Sequence, residues 1–103
     1  MDKQAFKRAQ ELLVAAGLKI DEAGYDPSTF GSWLVAVHAM PRHRLVWDGK
    51  DGWFIVQRET SRMLNGLRVW KDLWIASEEK DLVVELAVNQ LCQFARQPRS
   101  ERQ

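Results

Sequence analysis

The sequence predicts an α+β domain in which two helices pack on one side of a four-stranded antiparallel sheet. Three observations predict this class. Apolar side chains recur at helical spacing near both ends of the chain, the central part contains short apolar runs, and turn residues separate these runs too closely for a crossover helix. Strands joined by short turns pair antiparallel, and two helices with one apolar face each cover such a sheet as a two-layer sandwich. The predicted order is helix, four strands, helix.

The size and charge of the chain limit its organisation. It has 103 residues, which is the length of one domain; we assign residues 1–95 to this domain and 96–103 to a polar tail that frays. Lys and Arg number 15 and Asp and Glu 14, so no strong field directs the chain to nucleic acid or anionic lipid. No apolar run reaches the ~20 residues of a membrane span and the start lacks a signal-peptide pattern, so the sequence predicts a cytoplasmic protein.

The helices are predicted from periodicity and from capping residues. Between residues 3 and 16 apolar side chains recur at steps of three and four, Asp2 can cap the start, and Gly17 can close the end. The second helix is expected to follow a cap at Ser77 and to run to Ala95 with a broad apolar stripe. Three of the four residues after Ser77 are acidic, which suits the positive end of a helix dipole and disfavours contact with nucleic-acid phosphates.

The strands are predicted in the segment between the two helices. Residues 18–31 lack sustained periodicity and are expected to form a loop. The first strand is expected in residues 32–40. The second and third strands lie within residues 45–56 on either side of a Gly-Lys-Asp-Gly turn, with Gly52 in the left-handed conformation. The fourth strand is expected in residues 67–76.

Alternation along the strands predicts which side chains share a face of the sheet. A turn of three or five residues between the second and third strands would give two opposed sets: Leu45, Trp47, Trp53 and Ile55 against Val46, Phe54 and Val56. The fourth strand divides into an aliphatic side and a tryptophan side: Leu67, Val69, Leu73 and Ile75 against Arg68, Trp70, Asp72 and Trp74. The aliphatic side is suited to contact with the helices, so we expect the tryptophan side to be uncovered.

The five tryptophans are the main indication of function. We expect some of them to pack beneath the helices and others to form a recognition face, because a large exposed apolar patch generally marks an interaction site. The sequence therefore predicts a non-enzymatic binding domain that forms a homodimer or holds a partner protein, and a neutralising protein of the immunity or antitoxin kind would fit. The predicted binding residues are Trp47, Trp53, Arg68, Trp70, Asp72 and Trp74.

Two other interpretations of the tryptophans remain open. A small domain can bury several tryptophans simply to complete its core. Alternatively, a small ligand could bind in a tryptophan-lined pocket between the sheet and residues 18–31.

Candidate catalytic and metal-binding groups are few. A basic corner could contact a phosphate or an acidic partner, or be merely solvated, but its cations oppose a metal ion: His38, Arg42, His43 and Arg44. No spacing fixes a pair among the carboxylates available for acid–base chemistry: Asp48, Asp51, Glu59 and Asp72. Cys92 has no second cysteine and falls within an apolar stripe, so we expect a buried structural thiol. The sequence predicts no metal and no cofactor.

Overall fold

The computed structural model describes residues 2–77 and 83–97 of the chain. Within them seven elements follow in chain order: α1 Lys3–Ala15, β1 Ile20–Asp26, β2 Ser32–Val37, β3 His43–Asp48, β4 Trp53–Leu64, β5 Leu67–Ser77 and α2 Val84–Ala95. The strands form an antiparallel meander in the order β1-β2-β3-β4-β5. The α+β class with a helix near each end is confirmed, but the described sheet has five strands rather than four.

The additional strand lies in the segment that was predicted to be a loop. β1 pairs with β2 from Ile20 opposite Val37 to Asp26 opposite Ser32. Only Ile20 and Tyr25 of β1 are partly buried, because β1 is an edge strand with little cover. Such a strand needs no alternation of apolar and polar residues, and the sequence pattern therefore missed it. The loop between β1 and β2 is restricted to residues 27–31.

The turn between β3 and β4 is four residues long, because Asp48 pairs with Trp53. A turn of even length reverses the parity that we expected. Trp47 consequently pairs with Phe54 on the helix side and is 3% exposed, whereas Trp53 lies on the opposite side and is 42% exposed. The prediction that these two tryptophans share a face is wrong. The left-handed conformation predicted for Gly52 is confirmed, with φ of 72°.

A bulge in β5 changes the faces of the last strand. Val56 pairs with Trp74, but the next residue of β4, Gln57, pairs with Asp72, so Leu73 is an extra residue in β5. An extra residue shifts the alternation of all side chains beyond it. Trp74 and Leu73 consequently both pack against the core beneath the helices.

The bulge separates two tryptophans that the sequence pattern had placed together. Trp70 lies before the bulge and pairs with Glu59 on the uncovered side, whereas Trp74 lies on the helix side. Ile75 moves in the opposite direction: it pairs with Ile55 on the uncovered side and is 44% exposed. The prediction that Trp70 and Trp74 share a face is therefore wrong, and so is the prediction that Ile75 lies beneath the helices.

The core lies between the two helices and one face of the sheet. Its side chains that are 0% exposed come from both helices and from β2, β3 and β4: Ala9, Leu13, Val35, Val37, Leu45, Phe54, Val56, Ala87 and Leu91. Cys92 belongs to this core at 7% exposure, and burial raises the pKa of its thiol. The predicted structural position of Cys92 is confirmed.

The helix ends agree only in part with the sequence prediction. Asp2 caps α1, because its Oδ1 accepts hydrogen bonds from the backbone N–H groups of Gln4 and Ala5, both at 3.1 Å. Ser77, predicted as the cap of the second helix, is instead the last residue of β5. The predicted first turn of that helix in residues 78–82 and the tail from residue 98 onward lie outside the described residues. Among the described helices, neither has the length and apolar character needed to cross a membrane.

Candidate functional site

The side of the sheet opposite the helices, here called the open face, has no described element packed over it. Cross-strand pairing places one row of aliphatic side chains across it, from β2 to β5: Leu34, Val46, Ile55 and Ile75. Ile75 ends this row at 44% exposure, and Trp53 lies beside it at 42%. The open face therefore presents an apolar row whose large side chains on β4 and β5 remain in contact with solvent.

A polar row lies next to the apolar one. Here Arg44 on β3 pairs with Gln57 on β4, which pairs with Asp72 on β5. Arg44 Nε donates to Gln57 Oε1 at 2.6 Å, and Gln57 Nε2 donates to Asp72 Oδ1 at 2.8 Å. Gln57 thus links a cation to an anion without a direct ion pair between them. The Nη1 and Nη2 groups of Arg44 donate no hydrogen bond within residues 2–77 and 83–97.

Trp70 is held by two guanidinium groups. The Cζ atom of Arg44 lies 4.0 Å from the centroid of the Trp70 ring, and that of Arg42 lies 5.5 Å from it. A guanidinium over an indole ring contributes roughly 0.5–2 kcal/mol, depending on how far it is removed from water. Burial lowers the pKa of Arg44 below its ordinary value, but a guanidinium remains protonated in proteins. Arg44 therefore presents a positive charge that contact with the Trp70 ring holds in place.

Arg42 is occupied by carboxylates of the same chain. It donates to both oxygens of Asp21, at 2.8 and 3.1 Å, and also to Glu22 at 3.3 Å and Glu59 at 3.4 Å. Arg68 Nε lies 3.9 Å from Glu59. The hydrogen bond with Asp21 raises the pKa of Arg42. Of the two arginines in the predicted basic corner, Arg42 therefore forms ion pairs within the chain. Arg44 keeps hydrogen-bond donors that are not used by the described residues.

The two histidines of the basic corner are directed to different surroundings. His38 is exposed, with Nδ1 3.9 Å from Asp21. His43 is 4% exposed on the helix side, its Nδ1 lies 2.9 Å from the carbonyl oxygen of Pro41, and burial lowers its pKa. In the described parts of the chain, no three His, Cys, Asp or Glu side chains are grouped so that they could hold a metal ion.

The β4–β5 hairpin extends the open face beyond β3. The pairing of β4 with β3 ends at Arg58, whereas its pairing with β5 resumes after a register shift between Glu59 and Met63 and continues to the hairpin turn. We call residues 59–70 the arm. Asn65 and Gly66 form the turn with φ of 53° and 80°, which is the pattern of a tight two-residue hairpin. Three apolar side chains at the tip are more than half exposed: Met63, Leu64 and Leu67.

A second apolar surface, here called the helix groove, lies on the other side of the molecule between α1 and α2. Apolar side chains of both helices and one amide line it: Leu12, Ala16, Leu86, Val88, Asn89 and Cys92. At its rim Arg8 Nε donates to Glu85 Oε2 at 3.4 Å. Arg96 also lies at this surface, where its Nη2 group donates to the backbone carbonyl oxygen of Ala16. Because this surface lies away from the open face, it is the control surface for the experiments on association.

The predicted binding residues divide between the two faces. Those on the open face are Trp53, Arg68, Trp70 and Asp72; those on the helix side are Trp47 and Trp74. Gln57 and Ile75 were not among the predicted binding residues, and Arg44 was predicted only as a member of the basic corner. Their signal was available in the alternation of β3, β4 and β5, but the correct turn length and the bulge in β5 were needed to place Gln57 and Ile75 on the same face as Arg44.

Known proteins give no guide to the use of this surface. Comparison with protein-family models, with curated proteins and with solved structures finds no match to the chain. The open face itself combines an aliphatic row, a clamped tryptophan and a charged row oriented by hydrogen bonds. Apolar side chains next to a few oriented polar groups are typical of a recognition surface.

Proposed function

We propose that the protein is a homodimerising domain and that two copies associate through their open faces. The observation that carries this proposal is the exposure of Ile75 and Trp53 at the end of a continuous aliphatic row, at 44% and 42%. Leaving such side chains in water costs the free energy that their burial would release, about 25 cal/mol per Å². A second sheet packed on the first at about 10 Å would cover the row.

The extent of the open face supports a protein partner. Five strands with the lengths given above, at about 3.4 Å per residue and about 4.8 Å between strands, present roughly 700 Å² in flat projection. Each partner of a stable complex contributes about 800 Å². The open face with its arm is thus of the size that a dimer requires.

The charges of the open face support a second copy as that partner. Three arginines and six carboxylates lie on or beside it: Arg42, Arg44 and Arg68 with Asp21, Glu22, Asp26, Asp48, Glu59 and Asp72. A face that carried charge of one sign only would repel its own copy, but this one offers a second copy both cations and anions. The excess of carboxylates also disfavours nucleic acid. The chain has one cysteine, which is buried and free. Because thiols stay reduced in the cytosol, we propose a cytoplasmic location.

Sedimentation equilibrium at several concentrations tests the proposal with a matched pair of variants. Ile75 on the open face and Leu86 in the helix groove are both aliphatic and both 44% exposed. We expect the wild-type chain to dimerise, Ile75→Lys to weaken dimerisation by at least about tenfold because a buried charge replaces an anchor, and Leu86→Lys to leave it unchanged.

Two results would contradict the proposal. A wild-type chain that stays monomeric up to its highest soluble concentration has no homodimer to explain. A dimer that Leu86→Lys disrupts and Ile75→Lys does not would use the helix groove instead of the open face.

A further inference from the structure

Arg44 and Asp72 are charged side chains of the open face, and neither has a direct partner of opposite charge among the described residues. Each is bonded to the neutral Gln57 between them, at 2.6 and 2.8 Å. We infer that the two-fold axis of the dimer runs along β4, so that Arg44 of each copy binds Asp72 of the other. This inference rests on the dimer proposed above and adds its geometry.

The symmetry of the polar row supports this axis. Arg44, Gln57 and Asp72 occupy β3, β4 and β5 in one row. The axis lies between the two facing sheets, parallel to β4 and centred over it. Rotation by 180° about it sets each row over the same row of the second copy, with β4 over β4 and β3 over β5. Arg44 then lies over Asp72 of the second copy, Asp72 lies over its Arg44, and the two Gln57 side chains meet at the axis.

The same axis matches the apolar row. Val46, Ile55 and Ile75 occupy β3, β4 and β5 one row further along. The exchange of β3 with β5 sets Val46 over Ile75 of the second copy, and Ile55 over its own counterpart. The exposed end of the aliphatic row is thereby covered by apolar side chains, and opposite charges meet in the neighbouring row. One axis satisfies both rows.

An axis along β3 gives unfavourable contacts. It would set Arg44 over its own counterpart. It would also set Asp72 over Glu22 of the second copy, since β1 and β5 lie equally far from β3 and these residues share the row. Like charges brought together in an interface oppose association. The axis along β4 sets one carboxylate, Glu59, over its own counterpart, but Glu59 is already paired with two arginines of its own chain. The axis along β3 instead sets like charges against Arg44 and Asp72, which have no such partner among the described residues, and it is therefore disfavoured.

An axis across the strands, along the aliphatic row, would bring Arg44 over Asp48 of the second copy. Asp48 Oδ1 already accepts hydrogen bonds from the backbone N–H groups of Lys50 and Asp51, at 3.0 and 3.2 Å. This axis would also set Trp70 beyond Ser77, the last described residue of β5. The axis along β4 keeps Trp70 within the contact.

The side chain of Arg44 is preorganised to bind a carboxylate in the monomer. Its guanidinium is stacked 4.0 Å from the Trp70 centroid and oriented through Nε by Gln57. The remaining Nη1 and Nη2 donors have the spacing that binds both oxygens of a carboxylate. Asp72 is exposed and accepts only from Gln57 among the described residues. Little side-chain freedom is lost when such a pair forms.

Two charge-reversed variants, purified separately and then mixed, test the pairing. Arg44→Glu sets two carboxylates against each other at both ends of a homodimer, and Asp72→Lys sets two cations against each other. We expect each variant alone to dimerise at least about tenfold more weakly than the wild type. A 1:1 mixture should recover dimers of near wild-type affinity, because both contacts of the mixed dimer then join opposite charges.

A third variant identifies the competing axis. Recovery of dimers when Arg44→Glu is mixed with Asp48→Lys, and not with Asp72→Lys, would overturn the axis along β4 in favour of the axis across the strands. Single variants that dimerise like the wild type would overturn the Arg44–Asp72 contact while the proposed dimer stands. A monomeric wild type would instead remove the proposed function itself.

Cross-linking tests the axis without altering Arg44, in case Arg44→Glu fails to fold in circular dichroism. Gln57→Cys in a Cys92→Ala background places a thiol at the axis, next to its own counterpart. A short bismaleimide should link the two copies of this variant. Leu86→Cys in the same background is the control and should not be linked efficiently. Absence of a Gln57→Cys cross-link in a chain that sediments as a dimer would overturn the axis.

Discussion

The covered and open faces of the sheet use similar side chains for different purposes. On the covered face Trp33 and Trp47 are 3% exposed and contact Phe54, with ring centroids 5.8 and 4.9 Å apart. On the open face Trp70 lies against two arginines and Trp53 is 42% exposed. Aromatic residues on one face therefore complete the core, and those on the other form a surface with charged neighbours.

This difference assigns stability to the covered face and recognition to the open face. Packing on the covered face tolerates a polar group without a partner: Trp33 Nε1 is buried and has no hydrogen bond among the described residues. The open face, in contrast, orients its polar groups through a chain of hydrogen bonds. We expect substitutions on the covered face to change the free energy of unfolding, and those on the open face to change association.

Leu91→Ala should have the largest effect on stability. Leu91 is 0% exposed between α2 and the sheet, so its truncation removes apolar burial and leaves a cavity, at a cost of about 2–5 kcal/mol. Ile75→Ala on the open face is the comparison and should cost under about 1 kcal/mol in the monomer. Urea unfolding at low protein concentration measures both. Equal losses of unfolding free energy in Leu91→Ala and Ile75→Ala would mean that the open face contributes as much to stability as the covered face.

Gly49→Ala should have the next largest effect, because it disturbs the turn that determines the parity of β4. A Cβ at Gly49 would overlap the backbone carbonyl of Phe30, which no rotamer change can relieve. We expect a loss of about 2–3 kcal/mol. Gly24→Ala on the edge strand β1 is the control, since a Cβ there meets no atom within 4 Å. Thermal unfolding should show little change in Tm for Gly24→Ala. A comparable loss of stability in both variants would mean that the close approach of Gly49 to Phe30 is not its cause.

The class of fold could be predicted from the sequence because its signals are local. The cap at Asp2 and the helical spacing of apolar residues in α1 and α2 are each visible within a few turns of chain. Cys92 was placed in the core by the same spacing. These features depend on the residues next to them and not on the rest of the sheet.

The division of side chains between the faces could not be predicted, because it depends on single-residue differences. A four-residue turn instead of three or five moved Trp53 away from Trp47, and one extra residue at Leu73 moved Trp74 away from Trp70. A shift of one position exchanges the faces of a strand. The candidate site was therefore recovered only in part, through Trp53, Trp70 and their neighbours Arg68 and Asp72.

Comparison of Trp74→Ala with Trp70→Ala sharpens the distinction within a single strand. Trp74 packs against the core but is only partly buried, so we expect its removal to cost about 2 kcal/mol, less than the roughly 3–5 kcal/mol of a fully buried tryptophan. Trp70 contacts Arg42 and Arg44, and its removal should cost about 1 kcal/mol in the monomer but weaken dimerisation. Chemical unfolding and sedimentation of both variants separate the effects. A larger loss of stability in Trp70→Ala than in Trp74→Ala would reverse the assignment.

The smallest expected effect concerns pH and distinguishes the buried His43 from the exposed His38. Burial lowers the pKa of His43 from its ordinary value of 6.5, whereas the unfolded chain keeps a value of about 6.5. Below about pH 6.5 the unfolded chain consequently binds more protons than the folded one. The stabilisation by neutral His43 is therefore complete above that pH and is lost progressively as the pH falls toward the folded-state pKa.

Urea unfolding of the wild type and two variants between about pH 7.5 and pH 5 isolates this contribution, since most carboxylates titrate lower. The lowered pKa of Asp26, held down by hydrogen bonds from Ser28 and Thr29, places its titration below this window. Relative to His43→Gln, the free energy of unfolding of the wild type should fall as the pH falls, with a slope of at most about 1.4 kcal/mol per pH unit for one proton. His38→Gln is the control for replacing an imidazole by an amide at an exposed position. If wild type and His43→Gln give parallel profiles, His43 takes up its proton as easily in the folded chain as in the unfolded one, and the covered face is more open to water around β3 than its packing indicates.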